Sequence, residues 1–297
     1  LLPCGLFAGD LIAKDPVNGS ADKSTSGITN GINKGVNAVI DSLQKSPEAP
    51  DWLKRINLKF EIQDKYKPTY ELETVQPLYM TDKEAIFTQL NARTRGGEQT
   101  YNLGLGYRNI VVDWLILGVN AFYDYTTYYD HRRYGFGFEA LGKRYEARMN
   151  TYFGDSHEKE VSTGVFQRVM NGYDFEIGGS IIPVRVLEDL KIFLGYQNFN
   201  AKYTDDLKTY QVRVTYPITQ YTGIEFRAMK DENKAERYYV QLTFGLDIPQ
   251  KVKKTKDGKD IDLKKKLLQP VERIKDIVVE QYSKAGGGIT VKIKRGN

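Results

Sequence analysis

The residues from which this chain could build a reaction centre are few: two histidines, one cysteine and scattered serines. His131 stands in Asp130-His131-Arg132-Arg133, and His157 follows Ser156 in a polar stretch. A hydrolase needs an imidazole in hydrogen-bond reach of its nucleophile and a third group to orient the ring. Sequence neighbours on one loop rarely meet that way, so Ser156 and His157 read as loop polarity and no catalytic residue is assigned. One cysteine, Cys4, and two distant histidines do not make a usual zinc site, so no metal or other cofactor is expected. Gly104-Leu105-Gly106 and Gly135-Phe136-Gly137 are not phosphate loops; the chain around them alternates as a strand does, and small glycines on an inward face leave room for a chain inside. What remains is ionic chemistry. Arg93, Arg108, Asp124, Arg133, Glu139, Glu146, Arg148, Asp174, Glu176, Arg213, Glu225 and Arg227, joined by Lys59, Glu61, Glu71 and Glu73, share one face of successive segments. Opposite charges at such density read as a structural network of nearly balanced sign rather than a catalytic site.

The elements that would hold these charges show themselves by period. In Tyr101–Arg108, Tyr101, Leu103, Leu105 and Tyr107 point one way, Asn102, Gly104, Gly106 and Arg108 the other. Val119, Ala121, Tyr123 and Tyr125 oppose Gly118, Asn120, Phe122 and Asp124; Tyr134, Phe136 and Phe138 oppose Arg133, Gly135, Gly137 and Glu139. Strict alternation over eight or more residues is a half-buried strand. Twelve such strands are drawn, near 55–64, 69–79, 84–95, 101–111, 115–127, 131–142, 145–154, 172–182, 190–200, 208–218, 221–231 and 236–247. Residues 161–171 alternate poorly and are expected to be loop.

No run of eighteen apolar residues occurs and mean hydropathy is −0.50. That excludes a transmembrane helix but not a barrel, whose strands cross a bilayer in about 9–11 residues and average out polar. The joins 79–84, 111–115, 142–145 and 218–221 are short, with 182–190 the exception on that side, whereas 154–172 is long and polar, the unequal pattern of an outer-membrane barrel. A soluble sandwich with a solvated charged face is the competing reading. It would have to bury twelve long apolar faces with few helices, whereas a closed barrel in lipid satisfies every backbone group without an edge.

The ends read differently. Residues 1–26 are expected to be a signal-peptide remnant, with Cys4 in it, and a disordered segment. In 27–54 a short periplasmic helical segment is expected, since Ile28, Ile32, Val36, Val39, Ile40 and Leu43 recur at helical spacing. The barrel takes 55–247. The tail, 248–297, carries fourteen Lys/Arg against six Asp/Glu; with no nucleic-acid motif beside it, it reads as a basic linker, and no nucleic-acid partner is expected. Residues 262–283 could form a polar helix capped by Asp262 and interrupted by Pro270. Gly286-Gly287-Gly288 would be a flexible break, followed by a short extended piece.

The run Asn102-Leu103-Gly104-Leu105-Gly106-Tyr107-Arg108, then Asp113-Trp114, Gly118–Tyr125 and His131–Glu139, resembles the β-domain of intimin/invasin-type inverse autotransporters. Pro77-Leu78-Tyr79, Phe87–Leu90, Asn171–Asp174, Pro270-Val271-Glu272-Arg273 and Ile277–Tyr282 are similar in the same order, so the likeness covers about residues 38–294. The resemblance implies an all-β fold: a twelve-stranded antiparallel transmembrane β-barrel of the bacterial outer membrane, both barrel ends periplasmic. It implies a C-terminal linker that re-enters the pore, first as a helix and then extended, so that residues 262–285 occupy the lumen, with Leu267, Pro270, Val271, Glu272, Arg273, Ile277, Glu280 and Tyr282 as pore-linker residues. It implies a non-enzymatic translocator that exports and anchors a C-terminal, adhesin-like passenger at the cell surface. The implied partners are outer-membrane lipid, the barrel-assembly machinery and periplasmic chaperones, and the chain's own linker or passenger. The alternative is a passenger-less barrel, plugged or a narrow channel.

Overall fold

The computed structural model describes residues 50–63, 67–180, 189–219, 221–232, 236–245, 263–285 and 288–295. The expected signal remnant with Cys4, the disordered segment 1–26, the helix over 27–45 and the Asp262 cap lie outside the described residues. Within 27–54, Asp51–Lys54 forms a single helical turn.

Period-two alternation yields strands β1 Ile56–Gln63, β2 Thr69–Met80, β3 Glu84–Arg95, β4 Glu98–Val112, β5 Leu115–Thr126, β6 His131–Gly142, β7 Tyr145–Gly154, β8 Lys159–Ser162, β9 Val165–Val169, β10 Gly172–Gly179, β11 Lys191–Phe199, β12 Leu207–Pro217, β13 Thr222–Asp231, β14 Glu236–Gly245, β15 Val278–Ala285 and β16 Gly288–Arg295. Twelve of them close into an antiparallel barrel in the order β1-β14-β13-β12-β11-β10-β7-β6-β5-β4-β3-β2. The seam pairs Phe60 with Leu242 and Ile62 with Val240. Among the described residues no helix is long and apolar enough to cross a membrane; the crossing elements are strands.

Parity sorts the residues inside-out relative to a soluble protein. Along β4, Asn102, Gly104, Gly106 and Arg108 are buried while Tyr101, Leu103, Leu105 and Tyr107 are exposed. Val119, Phe136, Phe138 and Val240 are exposed as well, and Leu242, half-buried, shares their parity. Leu105 is 55% exposed and Arg108 0%. An apolar outer surface around a charged interior is stable only where the outer medium is itself apolar.

Because β1 begins and β14 finishes at the same end of the barrel, that end is called the terminal end. It carries the short turns at 81–83, 113–114 and 143–144. The opposite end carries the long join 155–171 and the join 200–206, but also a two-residue hairpin at Gly96-Gly97, both at positive φ (61° and 95°), which is the backbone a tight hairpin demands.

Two expectations fail here. Residues 161–171 are not loop: β8 and β9 form a hairpin, and β9 pairs with β15, Gln167 opposite Gln281. The strand signal was weak because β9 is only five residues long and its partner lies more than a hundred residues away. Nor do the described residues of 262–283 form a helix. Leu263–Lys266 makes one 3₁₀ turn, the chain runs without regular structure to Ile277, and β15 begins at Val278. Pro270 lacks the N–H a helix would need, and the barrel interior offers the backbone other partners.

Candidate functional site

The interior is filled by the linker. Leu263 and Leu267 pack with Ala85, Ile116 and Leu141 at the terminal end. Val271 packs midway with Val75, Phe87 and Phe122. Val278 packs with Tyr152, Met170, Phe199 and Leu207 at the opposite end. The chain therefore passes from one mouth to the other.

A lone extended segment has no strand beside it, so its amide and carbonyl groups must find side chains. They do. Val271 N donates to Gln89 Oε1 at 2.7 Å, and Gln89 Nε2 donates back to Val271 O at 3.4 Å. Asn150 donates to Glu272 O at 3.2 Å, Asn102 to Lys275 O at 3.2 Å. Ile274 N donates to the Tyr152 hydroxyl at 2.8 Å. Arg133 donates to the carbonyls of Ile274 (2.7 Å) and Asp276 (3.0 Å). One nitrogen of Arg108 gathers the carbonyls of Lys266, Leu267 and Gln269, the last at 2.6 Å, while its other two bind Glu139 at 2.9 and 3.1 Å.

Charged linker side chains meet opposite charges on the wall. Arg273 spans both oxygens of Asp124, at 2.8 and 2.6 Å, and its guanidinium lies 4.4 Å from the centre of the Phe122 ring. Lys275 bridges Glu71 and Glu73, which Lys59 also contacts at 3.4 and 2.6 Å. Asp276 sits 3.2 Å from both Arg93 and Arg95. Lys266 reaches Glu146 at 2.9 Å, beside Arg148 and Lys191. Around the rest of the wall, Arg213 joins Glu176 (2.5 Å) to Glu225 (3.1 Å), Glu225 continues to Arg227, and Asp174 takes Asn150 at 2.9 Å and the Tyr152 hydroxyl.

The inward glycines make this possible. A side chain at Gly104 or Gly106 would strike the rings of Phe122 or Phe87, which pack on Val271. At Gly135 a Cβ would stand 2.9 Å from Arg273 Nη2. Packing is lopsided: beside the linker, towards β1–β3 and β10–β14, a polar cavity of about 110 Å³ remains, bordered by Lys59, Glu176, Arg213, Arg227 and Glu272. Polar and bordered by many charged groups, it is roomy enough for several waters.

The twelve wall residues named from the sequence all lie on strands with charged or hydrogen-bonded partners inside the barrel. Of the linker residues, Leu267, Val271, Arg273 and Ile277 are packed or paired as described, and Pro270 and Glu272 lie between them. Glu280 and Tyr282 lie further along, in β15, against Arg168, Phe166 and the 200–206 join. Sequence reasoning missed Gln89, Asn150 and Tyr152 and put Asn102 on the inward face without giving it a role, although the parity of all four matches the charged set. It also missed Lys266, Lys275 and Asp276, which had no such signal. His131 meets Ser156 Oγ at 3.4 Å through one nitrogen and Gln167 Oε1 at 2.9 Å through the other. The residue in the orienting position is thus an amide, and it in turn donates to Gln281 of β15 at 2.9 Å. The imidazole joins the barrel rim to the linker.

Comparison with known proteins agrees with this architecture. Residues 8–275 match the family model of the inverse autotransporter β-domain. Intimin of Escherichia coli O127:H6 (strain E2348/69 / EPEC) is 28% identical over 188 residues, 60% of this chain and 20% of that protein. Invasin of Yersinia enterocolitica is 29% identical over 215 residues, 67% of this chain and 25% of that protein. The chain thus spans a fifth to a quarter of the length of these relatives. Among solved structures, a chain from work on in-meso crystallization of membrane proteins superposes with TM-score 0.62 at 20% identity, covering 76% of this chain and 99% of the other. An outer-membrane channel from Pseudomonas putida F1 superposes with TM-score 0.50 at 10% identity, covering 67% and 99%. At such identities these two likenesses speak to the fold.

Proposed function

The chain belongs to the inverse autotransporter β-domain family, and from that membership we propose that it is an outer-membrane translocator, exporting and anchoring a C-terminal, adhesin-like passenger through its pore. The observation that carries this reading is the path of the linker. It enters beside the barrel's own termini at Leu263, crosses the interior and leaves at the opposite mouth at Val278. With the terminal end in the periplasm, the chain after β15 lies at the cell surface. The linker is then the plug that fills the pore between barrel and passenger.

In this reading no catalytic step is required: interior charges such as Asp124, Arg133, Arg273, Glu176 and Arg213 serve to pair one another and the linker, and the His131–Ser156 contact is oriented by an amide. Partners are outer-membrane lipid around the apolar wall, the barrel-assembly machinery and periplasmic chaperones that handle such chains, and the passenger itself. A passenger-less, plugged barrel that passes only water-sized species is the second reading; the polar cavity beside the linker favours it.

The decisive experiment places an epitope tag after Asn297. Antibody staining of intact cells, and loss of the tag to external protease, are expected. Staining only after the outer membrane is permeabilised, with the barrel correctly inserted, would refute translocation and leave the second reading.

A further inference from the structure

Outside the barrel, at the mouth opposite the chain termini, β15 is held by a set of groups that the pore does not need. The Glu280 carboxylate is fully buried. It accepts the backbone N–H of Lys202 at 3.1 and 3.0 Å and that of Tyr203 at 2.8 Å, and it pairs with Arg168 at 3.1 Å. Two residues on, the buried Tyr282 ring lies between Phe166, stacked at 5.7 Å, and Tyr203, tilted at 4.4 Å. The backbone of β15 pairs with β9, and Met170 N donates to Val278 O at 2.9 Å. Val278 is buried between Tyr152, Phe199 and Leu207.

We infer that β9 and the 200–206 join form a peptide-capture site for an extended segment bearing a carboxylate and, two residues later, an aromatic ring, which seizes the linker when it emerges and fixes its stopping point. This inference rests on the translocator reading. Three features separate a receptor from incidental packing. The join is braced without the linker: Ala201 N donates to Asp206 at 3.0 Å and Asn200 N to Asn171 O at 2.8 Å. Paired backbone N–H groups facing a carboxylate are an anion-binding arrangement, here reinforced by a guanidinium. The strand edge supplies main-chain affinity while alternate side-chain pockets supply selectivity, as in β-strand addition. Glu280 and Tyr282 fall on the same face, two residues apart, so a slip of one residue would place Val279 or Gln281 against the amides. The register of the linker in the pore is therefore set at the mouth.

The test uses the full chain in liposomes, with heat-modifiable gel migration reporting an intact barrel. E280Q should speed hydrogen exchange at Lys202, Tyr203 and β9 at least tenfold while the exchange of β2–β6 stays unchanged. The E280Q/Y282A variant should vacate the site, and a fluorescein-labelled peptide of residues 276–285 should then bind it saturably. The same peptide with Gln in place of its Glu should bind at least tenfold more weakly. Unchanged exchange in E280Q, or equal binding of the two peptides, overturns the inference. If the double variant fails to insert, the E280Q exchange measurement alone decides it. The surface tag separates the two ideas: staining on intact cells with unchanged exchange sinks capture and leaves translocation standing, whereas a periplasmic tag sinks translocation whatever the peptides do.

Discussion

Arg273 of the linker closes on both oxygens of Asp124 in β5, and Arg133 of β6 closes on the same carboxylate from the wall at 2.7 Å. One carboxylate thus holds two guanidiniums, and all three side chains are almost wholly buried. Asp124→Ala leaves both cations without their counter-charge, and removing one partner of a buried ion pair costs about 3–5 kcal/mol. Urea titration of the barrel in detergent, followed by tryptophan fluorescence, should show that loss. D124A combined with R273A should recover part of it. A double variant as unstable as the sum of the single ones would show that the pair is not coupled.

Leu105→Arg puts a cation on the outer face at mid-strand, where it should cost about 2–4 kcal/mol if that face meets hydrocarbon. Asp113→Arg, exposed in the turn that follows the same strand, should cost much less than an arginine in lipid. Equal effects in liposome-refolding equilibria would show that the outer face of β4 does not contact lipid.

Gly135→Leu leaves the outer wall unchanged but fills the space that Arg273 occupies. The barrel should still insert, while the linker loosens. Single-channel conductance in planar bilayers should rise towards that of a chain cut after Gly245. Conductance identical to wild type would mean that Gly135 does not make room for the linker.

Asp82 and Lys264 make the contrasting ion pair, 2.8 Å apart in a turn at the terminal end, with Asp82 86% exposed. The ammonium holds the Asp82 carboxyl below its usual range by hydrogen bond and charge. A lowered carboxyl pKa contributes stability above its unfolded value and loses it as pH falls through the folded one. Solvent screens an exposed pair, so D82N should leave the acid limb of the stability–pH profile unchanged. A displaced limb would show that the turn holds the linker more tightly than its exposure implies.

The barrel was legible because a closed sheet in lipid writes its geometry into every second residue. The alternation of Leu103 and Leu105 with Gly104 and Gly106 suffices to place β4 and its faces. The wall charges were legible for the same reason. The linker was not, because its conformation is dictated by partners distant in sequence. Nothing within Leu267–Asp276 says that Arg108, Gln89 and Arg133 will take up its backbone groups, so the cap at Asp262 and the family resemblance suggested a helix that Pro270 and the pore both disfavour. The β8–β9 hairpin was hidden likewise, since its pairing strand is supplied by the tail. Glu280 and Tyr282 stood out only through resemblance, and their surroundings in the 200–206 join carried no signal at all.

The β15–β16 hairpin has a mechanical consequence. Its strands run antiparallel, so Arg295 returns beside Val278, near the mouth from which the chain emerged. A load attached beyond Arg295 and pulling away from the cell therefore unzips the two strands from their open end, where Arg295 faces Val278, towards the turn, one pair at a time, which is the weak direction for a ladder of hydrogen bonds. Opening it yields about 56–61 Å of slack at 3.3–3.6 Å per residue. Only then does the pull reach β15 along its own axis, where the β9 ladder, Glu280 and the ion pairs of the pore resist together in shear. We predict a force–extension trace with one low-force lengthening of that size before any barrel event, and E280Q should weaken the second event without altering the first. A tether built this way absorbs a jolt before its anchor feels it.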